Sequence, residues 1–188
     1  MNILFYLHKY PSYGGIENVT TYIANYLVGK EHHVTIYSFV GIDFSLLLQK
    51  LDRRIEYIQA LDKDDFYAKS NYEQLTKLIK NRKIDVVIFQ DSYAPVEKLL
   101  WRIKNEIPKL KIVTVEHNTP DAFLKALRFE KPSSKLEWVK RRILYPLYYL
   151  KIFYLIRKRH VDVYNGSDKY VLLTTKFTAT FKRISGLS

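Results

Sequence analysis

The run NILFYLHKYPSYGGIENVTTYIANYLVGKEHHVTIYSFV, residues 2–40, decides the fold. Ile3 to Leu7 is a continuous apolar stretch, the pattern of a strand buried on both faces. A loop carrying Gly14 and Gly15 follows. From Ile16 to Val28 the apolar residues Ile16, Val19, Ile23, Ala24 and Leu27 recur at helical spacing, and Gly29 is placed to stop that helix. His33 to Val40 is rich in Val, Ile, Tyr and Phe, as a strand is. Strand, helix, strand in this span is a βαβ unit, which belongs in a parallel sheet.

The alternation continues outward from this unit. Phe44 to Leu51 reads as a short helix, Ile55 to Ile58 as a short strand, Tyr72 to Ile79 as a helix and Ile84 to Phe89 as a fourth strand. Val96 to Ile107 is helical and closed by Pro108. Leu110 to Val115 is a fifth strand. Leu136 to Arg159 is a long helical region with a candidate break at Pro146. Tyr170 to Thr174 is a sixth strand, and a last short helix runs to about Ile184. The expected fold is α/β: a Rossmann-like parallel sheet with helices on both faces, spanning residues 1–188 as one domain. Ser185 to Ser188 reads as the start of a linker.

Composition limits the function classes. With 47% apolar and 27% charged residues the chain has the means to build a core. It has no Cys, which excludes disulfides, cysteine-held zinc and a thiol nucleophile. The N-terminus lacks the basic start and longer apolar run of a signal peptide. The net charge of +12 is unevenly spread. Met1 to Leu124 carries 16 basic and 15 acidic residues, whereas Lys125 to Ser188 carries 15 basic and 4 acidic. A basic last third points to a polyanionic partner, a membrane surface or a nucleic acid.

Ligands of open parallel sheets collect at the carboxyl ends of the strands, which selects three loops. The first, after strand one, holds Gly14-Gly15-Ile16-Glu17, where glycines permit a tight turn and close approach to a ligand and the next helix offers N–H groups to an anion. An ordinary strand-to-helix turn reads the same way. The loop is neither a dinucleotide fingerprint nor a P-loop. The second, after strand four, holds Gln90-Asp91-Ser92-Tyr93-Ala94-Pro95, whose polar groups suit a sugar or other polyol, though Asp91 or Ser92 equally suits a helix cap. The third, after strand five, holds Glu116-His117-Asn118, and His117 is placed to carry a proton or donate a hydrogen bond. His32-His33 has no third ligand at metal spacing, so no metal site is expected.

Taken in order, these features resemble the retaining GT-B glycosyltransferases of family 4. The resemblance rests on His8-Lys9-Tyr10-Pro11 with Gly14-Gly15-Ile16-Glu17, on His33-Val34-Thr35-Ile36-Tyr37-Ser38, on Ile84 to Phe89 ending at Asp91, on Val113-Thr114-Val115-Glu116-His117-Asn118, and on Tyr170 to Thr175. It implies an N-terminal, acceptor-side domain of a hexosyltransferase-like enzyme of cell-surface polysaccharide synthesis. Gly14, Gly15 and Glu17 would line the donor-phosphate and acceptor loop. His117 would be the catalytic side chain beside the transferred sugar, and Asp91, Ser92 and Asn118 would bind the acceptor. The substrates would be a nucleotide-sugar and a glycan or lipid-linked acceptor, with no cofactor and no metal. The nucleotide-sugar would be held mainly by a C-terminal domain that this chain does not contain, so the chain alone is expected to be inactive.

The segment Lys135 to His160 mixes Lys140, Arg141, Arg142, Arg157, Lys158 and Arg159 with Trp138, Tyr145, Tyr148, Tyr149 and Tyr154. Its apolar run is too short to span a bilayer and carries Lys151, but basic and aromatic residues on one helix suit an interface. The expected partner is an anionic membrane surface, which would put the protein in the cytoplasm at the inner face of the membrane. Self-association is another outlet for the surplus apolar face. The competing class is a basic α/β module that binds nucleic acid or membrane without catalysis; no nucleic-acid motif is present, and no nucleic acid is expected.

Overall fold

The structure is a computed structural model that describes residues 1–90, 96–129 and 134–187, without the side chains of 47, 48, 127–129, 140, 141 and 143. In chain order the elements are β1 (Asn2–Lys9), α1 (Gly15–Gly29), β2 (His33–Val40), α2 (Ser45–Lys50), β3 (Glu56–Gln59), α3 (Lys69–Asn81), β4 (Val86–Phe89), α4 (Glu97–Glu106), β5 (Lys111–Glu116), α5 (Ala122–Phe129), α6 (Lys135–Gly166), β6 (Lys169–Leu172) and α7 (Thr175–Ser185). They divide into two compact units. One is Met1–His117 with Gly166–Val171; the other is Asn118–Asn165 with Leu172–Ser188.

The first unit is a six-stranded sheet in the order β3-β2-β1-β4-β5-β6. The registered pairings β1–β2, β1–β4, β2–β3 and β4–β5 are all parallel. This is the doubly wound order, with its switch point between β1 and β4. Connections leave the middle in opposite directions, and right-handed crossovers then put their helices on opposite faces. On one face, Asn25 of α1 donates to Lys50 O at 2.8 Å and accepts from Asp52 N at 2.9 Å, tying α1 to the end of α2. On the other, α3 meets α4: the Arg102 guanidinium lies 3.8 Å over the Tyr72 ring, and the Tyr72 hydroxyl donates to Glu106.

Strand β1 supplies both cores by alternation. Ile3, Phe5 and Leu7 pack with Val34 and Ile36 against Ala24 and Val28 of α1. Tyr6 instead stacks on Tyr37 at 5.9 Å and meets Phe39 and Phe89 edge-on at 5.6 and 5.8 Å. Phe89 in turn meets Trp101 of α4. Each such ring pair adds about 0.5–1.5 kcal/mol beyond its area. The buried Tyr6 hydroxyl donates to Val96 O at 2.8 Å, and burial pushes its pKa well up.

Gly29 is the last residue of α1, where the sequence pattern stops the helix, but it is not the left-handed residue of the turn. The reversal falls at Glu31, with φ 62°. His32 N bonds to Leu27 O and Glu31 N to Val28 O, a Schellman ending with a glutamate in the glycine position. Helix α3 ends the same way on Lys83, φ 49°, with Ile84 N on Ile79 O and Lys83 N on Lys80 O. Each left-handed side chain costs roughly 1 kcal/mol relative to glycine.

The second unit is helical. Helix α5 was absent from the sequence reading. Helix α6 runs unbroken through Pro146; Pro146 and Arg142 are both exposed, so water can satisfy the Arg142 carbonyl that the proline leaves without an N–H. Leu124, Val163, Phe181 and Ile184 are buried here. His160, also buried, pairs with Pro120 O at 3.0 Å and meets Phe181 edge-on. Ser185 ends α7 rather than opening a linker, and Gly186, φ 73°, caps it.

Asp168 anchors the return of the chain to the sheet edge. Its N–H donates to Ile112 O at 2.8 Å. Its carboxylate accepts from Lys104 at 2.5 Å, Ile112 N at 2.8 Å and Lys111 at 3.3 Å. Burial alone would raise its pKa, but the Lys104, Ile112 and Lys111 donors outweigh it and hold the group at about 2. A depressed carboxylate contributes stability above its unfolded pKa of about 3.9 and loses it as pH falls toward 2. Asp168→Ala is therefore expected to cost about 2 kcal/mol at pH 7, and urea denaturation should show the two proteins converging near pH 2. A gap that persists at pH 2 would mean that the carboxylate charge is not the source.

Candidate functional site

The carboxyl edge of the sheet is built from the ends of β1, β4 and β5. The loop after β1 is pinned to its neighbours by backbone and hydroxyl bonds. Tyr10 N donates to Val40 O at 2.8 Å, and Tyr10 O accepts from Ser38 Oγ at 2.6 Å and Tyr57 Oη at 2.8 Å. Pro11 O accepts from Ile42 N at 2.9 Å, and Tyr13 Oη donates to Asp43 at 3.1 Å. Tyr10 Oη and Thr21 Oγ1 of α1, 2.9 Å apart, fix the loop to its own helix. Fixed at both ends, the loop presents Gly14 and Gly15 in a defined place.

Gly14 is the N-cap of α1, in extended conformation, and no side chain caps the helix. The first-turn N–H groups of α1 thus have neither an intrahelical nor a side-chain partner of the capping kind. Gly14 O accepts the first helical bond, from Asn18 N, at 3.2 Å. The Glu17 carboxylate folds back over Gly14: a Cβ at Gly14 would lie 2.1 Å from Glu17 Oε2, while one at Gly15 would meet nothing within 4 Å. Glu17 also places a negative charge at the positive end of the helix dipole.

Across the switch point, Gln90 follows β4 directly and His117 follows β5. They meet: His117 Nε2 lies 2.6 Å from Gln90 Oε1. Gln90 is 1% exposed, and His117 is half-buried. Behind His117, the buried Glu116 accepts from Tyr170 Oη at 3.0 Å. Adjacent strands are about 4.8 Å apart, so the glycine loop and His117 share one edge at a lateral separation of roughly 10 Å. Gln90 opens one of the loops that the strand ends select; its contact with His117 has no signal in the sequence.

Of the other expected site residues, Asp91 and Ser92 lie outside the described residues. Asn118 is exposed. On α6, the side chains of Lys140 and Arg141 lie outside the description; Arg142 is exposed, 5.0 Å over the Trp138 ring. Lys158 is exposed, Arg157 donates to Ser185 O at 3.3 Å, and Arg159 is half-buried. These side chains therefore do not all face one way. The outward side of α6 is nevertheless apolar, with Leu147, Leu150 and Tyr154 each more than 60% exposed and Lys151 among them. Among the described residues no helix is long and apolar enough to cross a membrane.

A cleft of about 760 Å³ lies at the opposite, amino edge of the sheet, lined by Asn2, His32, His33, Glu56 and Arg82. Its charges satisfy one another, Arg82 binding Glu56 through two bonds of 2.9 and 2.7 Å. It is on the wrong edge for a ligand of a parallel sheet, and the carboxyl edge is the better candidate.

Comparison with known proteins agrees with the fold. The family model Glycosyltransferase Family 4 matches residues 13–151. No curated protein matches the chain. Among solved structures, WaaG, a glycosyltransferase involved in lipopolysaccharide biosynthesis, is 16% identical, with a TM-score of 0.53 over 99% of this chain and 42% of its own. A glycosyltransferase from Rickettsia africae ESF-5 is 23% identical, with a TM-score of 0.47 over 68% of this chain and 33% of its own. Phytolacca americana UGT2, complexed with UDP-2fluoro-glucose and pterostilbene, is 12% identical, with a TM-score of 0.43 over 67% of this chain and 33% of its own. The chain spans less than half the length of each of these structures, and at such identities the likeness is one of fold. The family match covers most of the chain: it belongs to Glycosyltransferase Family 4, and its sheet is the Rossmann-like, N-terminal kind of the GT-B fold.

Proposed function

We propose that this chain is the acceptor-side half of a glycosyltransferase that moves a sugar from a nucleotide-sugar to a glycan or lipid-linked acceptor in cell-surface polysaccharide synthesis. The observation that carries the reading is the shared carboxyl edge: the glycine loop before α1 and the His117 side chain flank the switch point of a family 4 sheet. The first-turn N–H groups of α1 suit the donor's diphosphate. Gly14 and Gly15 let it approach, and the Glu17 carboxylate swings away from Gly14 or orients an acceptor hydroxyl. His117 orients or polarises a group beside the transferred sugar, with Asn118, Asp91 and Ser92 contacting the acceptor. A second domain grips the nucleotide, so transfer needs both halves. The anomeric configuration is kept, as in the retaining family.

Helix α6 favours a second, compatible role at an anionic membrane surface, where lipid-linked acceptors reside. Its exposed Leu147, Leu150 and Tyr154, with Lys151 and Lys158, support this.

A chimera joining residues 1–188 to a donor-binding family 4 domain is expected to transfer sugar, and His117→Ala in it to lose about 100-fold or more. Full activity of that variant would remove His117 from the chemistry, and robust transfer by residues 1–188 alone would overturn the half-enzyme reading. Gly14→Ala should cost no more than about 1 kcal/mol, the cost of alanine at an N-cap, because its extended backbone suits any residue and otherwise only the Glu17 carboxylate must move. Its transfer rate should nevertheless fall; an unchanged rate would show that no ligand approaches there. Sedimentation with phosphatidylglycerol-containing vesicles should show binding that falls about 30-fold in the Lys151→Gln, Lys158→Gln double variant, from about 1 kcal/mol per cation. Equal binding to neutral vesicles would count against recognition of anionic headgroups, and no binding to either would count against the membrane role.

A further inference from the structure

Gln90 has no assigned part, yet it sits at the switch point and holds the ring of His117. Its backbone N–H donates to Tyr6 O at 3.1 Å, extending the β1–β4 ladder by one rung, so the side chain leaves from a fixed point. Its Oε1 is 2.6 Å from His117 Nε2. Its Nε2 is buried and, among the described residues, has no hydrogen-bond partner. A buried amide donor left unpaired is costly. Turning the amide over would give that donor a partner, the ring nitrogen, but would reverse the chemistry. The ring would then carry its proton on Nδ1, and Nε2 could not be protonated until the amide turned back. In the orientation found, Oε1 accepts from Nε2–H of the neutral ring and more strongly from the imidazolium, so the contact with Gln90 is kept in either charge state.

We propose that Gln90 is a positioning residue: its amide oxygen holds His117 as the Nε2–H tautomer and fixes the orientation of the ring. Its use in sugar transfer rests on the reading of His117 given above; the hydrogen bond itself does not.

The test is imidazole nitrogen NMR on the 188-residue chain labelled with ¹⁵N-histidine, with His117→Gln used to assign the ring. The expected wild-type result is a single Nε2–H tautomer with an Nε2 proton protected from exchange with water. Gln90→Leu, which keeps bulk but offers no acceptor, should lose that proton signal and return the ring to a tautomer mixture. Gln90→Glu, whose carboxylate accepts from the same position, should restore it. An Nδ1–H ring in the wild type, or a wild-type pattern in Gln90→Leu, overturns the proposal. If Gln90→Leu does not fold, the wild-type tautomer together with Gln90→Glu still decides. Loss of the proposed transfer role would appear elsewhere, as an active His117→Ala chimera with the nitrogen spectrum of the Gln90–His117 pair unchanged.

Discussion

Strand β1 has a hydrogen-bonded neighbour on each edge and helices over each face, so no residue from Ile3 to Leu7 is more than 6% exposed. Burying this one strand on every side sets the position of everything around it. Its odd residues demand α1 on one face, and its even residues demand an aromatic layer on the other. A one-residue slip against β2 or β4 would exchange Tyr6 with Phe5 and leave the Tyr6 hydroxyl without the Val96 carbonyl. The register also sets the carboxyl edge, because the ends of β1, β4 and β5 come level only when these pairings are in place. The glycine loop and His117 are thus placed by core packing some distance beneath them.

Much of this was legible because burial on two faces leaves a crude signal. Continuous apolar runs marked β1, β2, β4 and β5, and helical spacing marked α1, α3 and α4. Where the sequence misled, a local rule lost to its surroundings. Gly29 ends α1 as its pattern suggests, but the left-handed residue of the turn is Glu31, since the Schellman bonds to Leu27 and Val28 tolerate a side chain in that region. Pro146 looked like a break, but the lost bond is on the wet side of α6. Helix α5 is short and follows Thr119-Pro120-Asp121, a start signal with too little periodic sequence behind it to be read.

The site was legible in outline only. Strand ends located the three loops, and family resemblance is what made His117 a candidate over an ordinary structural histidine. That Gln90 meets it was not legible, because a glutamine after a strand has no pattern of its own; only the fold reveals that β4 and β5 are neighbours. The tyrosines divide similarly. Tyr6, Tyr10 and Tyr37 are buried with their hydroxyls bonded, whereas Tyr148 and Tyr154 are exposed on α6. Sequence alone gives both sets the same letter.

The anchoring of β6 by Asp168 has a consequence for synthesis. The partner of that carboxylate, Ile112 N, precedes it by 56 residues, and 40 of the 55 residues between them lie in α5 and α6. A nascent chain can pair β1 to β5 as soon as they emerge, but it then waits for the whole of α6 before its last edge is covered. At about 5–20 residues per second that interval is roughly 3–11 s. Throughout it, β5 offers open N–H and C=O groups to any neighbouring strand, while the apolar side of α6 is emerging beside other ribosomes' products. The long excursion between β5 and β6 therefore makes this half-sheet dependent on early shielding of its edge in a crowded cell, however stable the finished fold is.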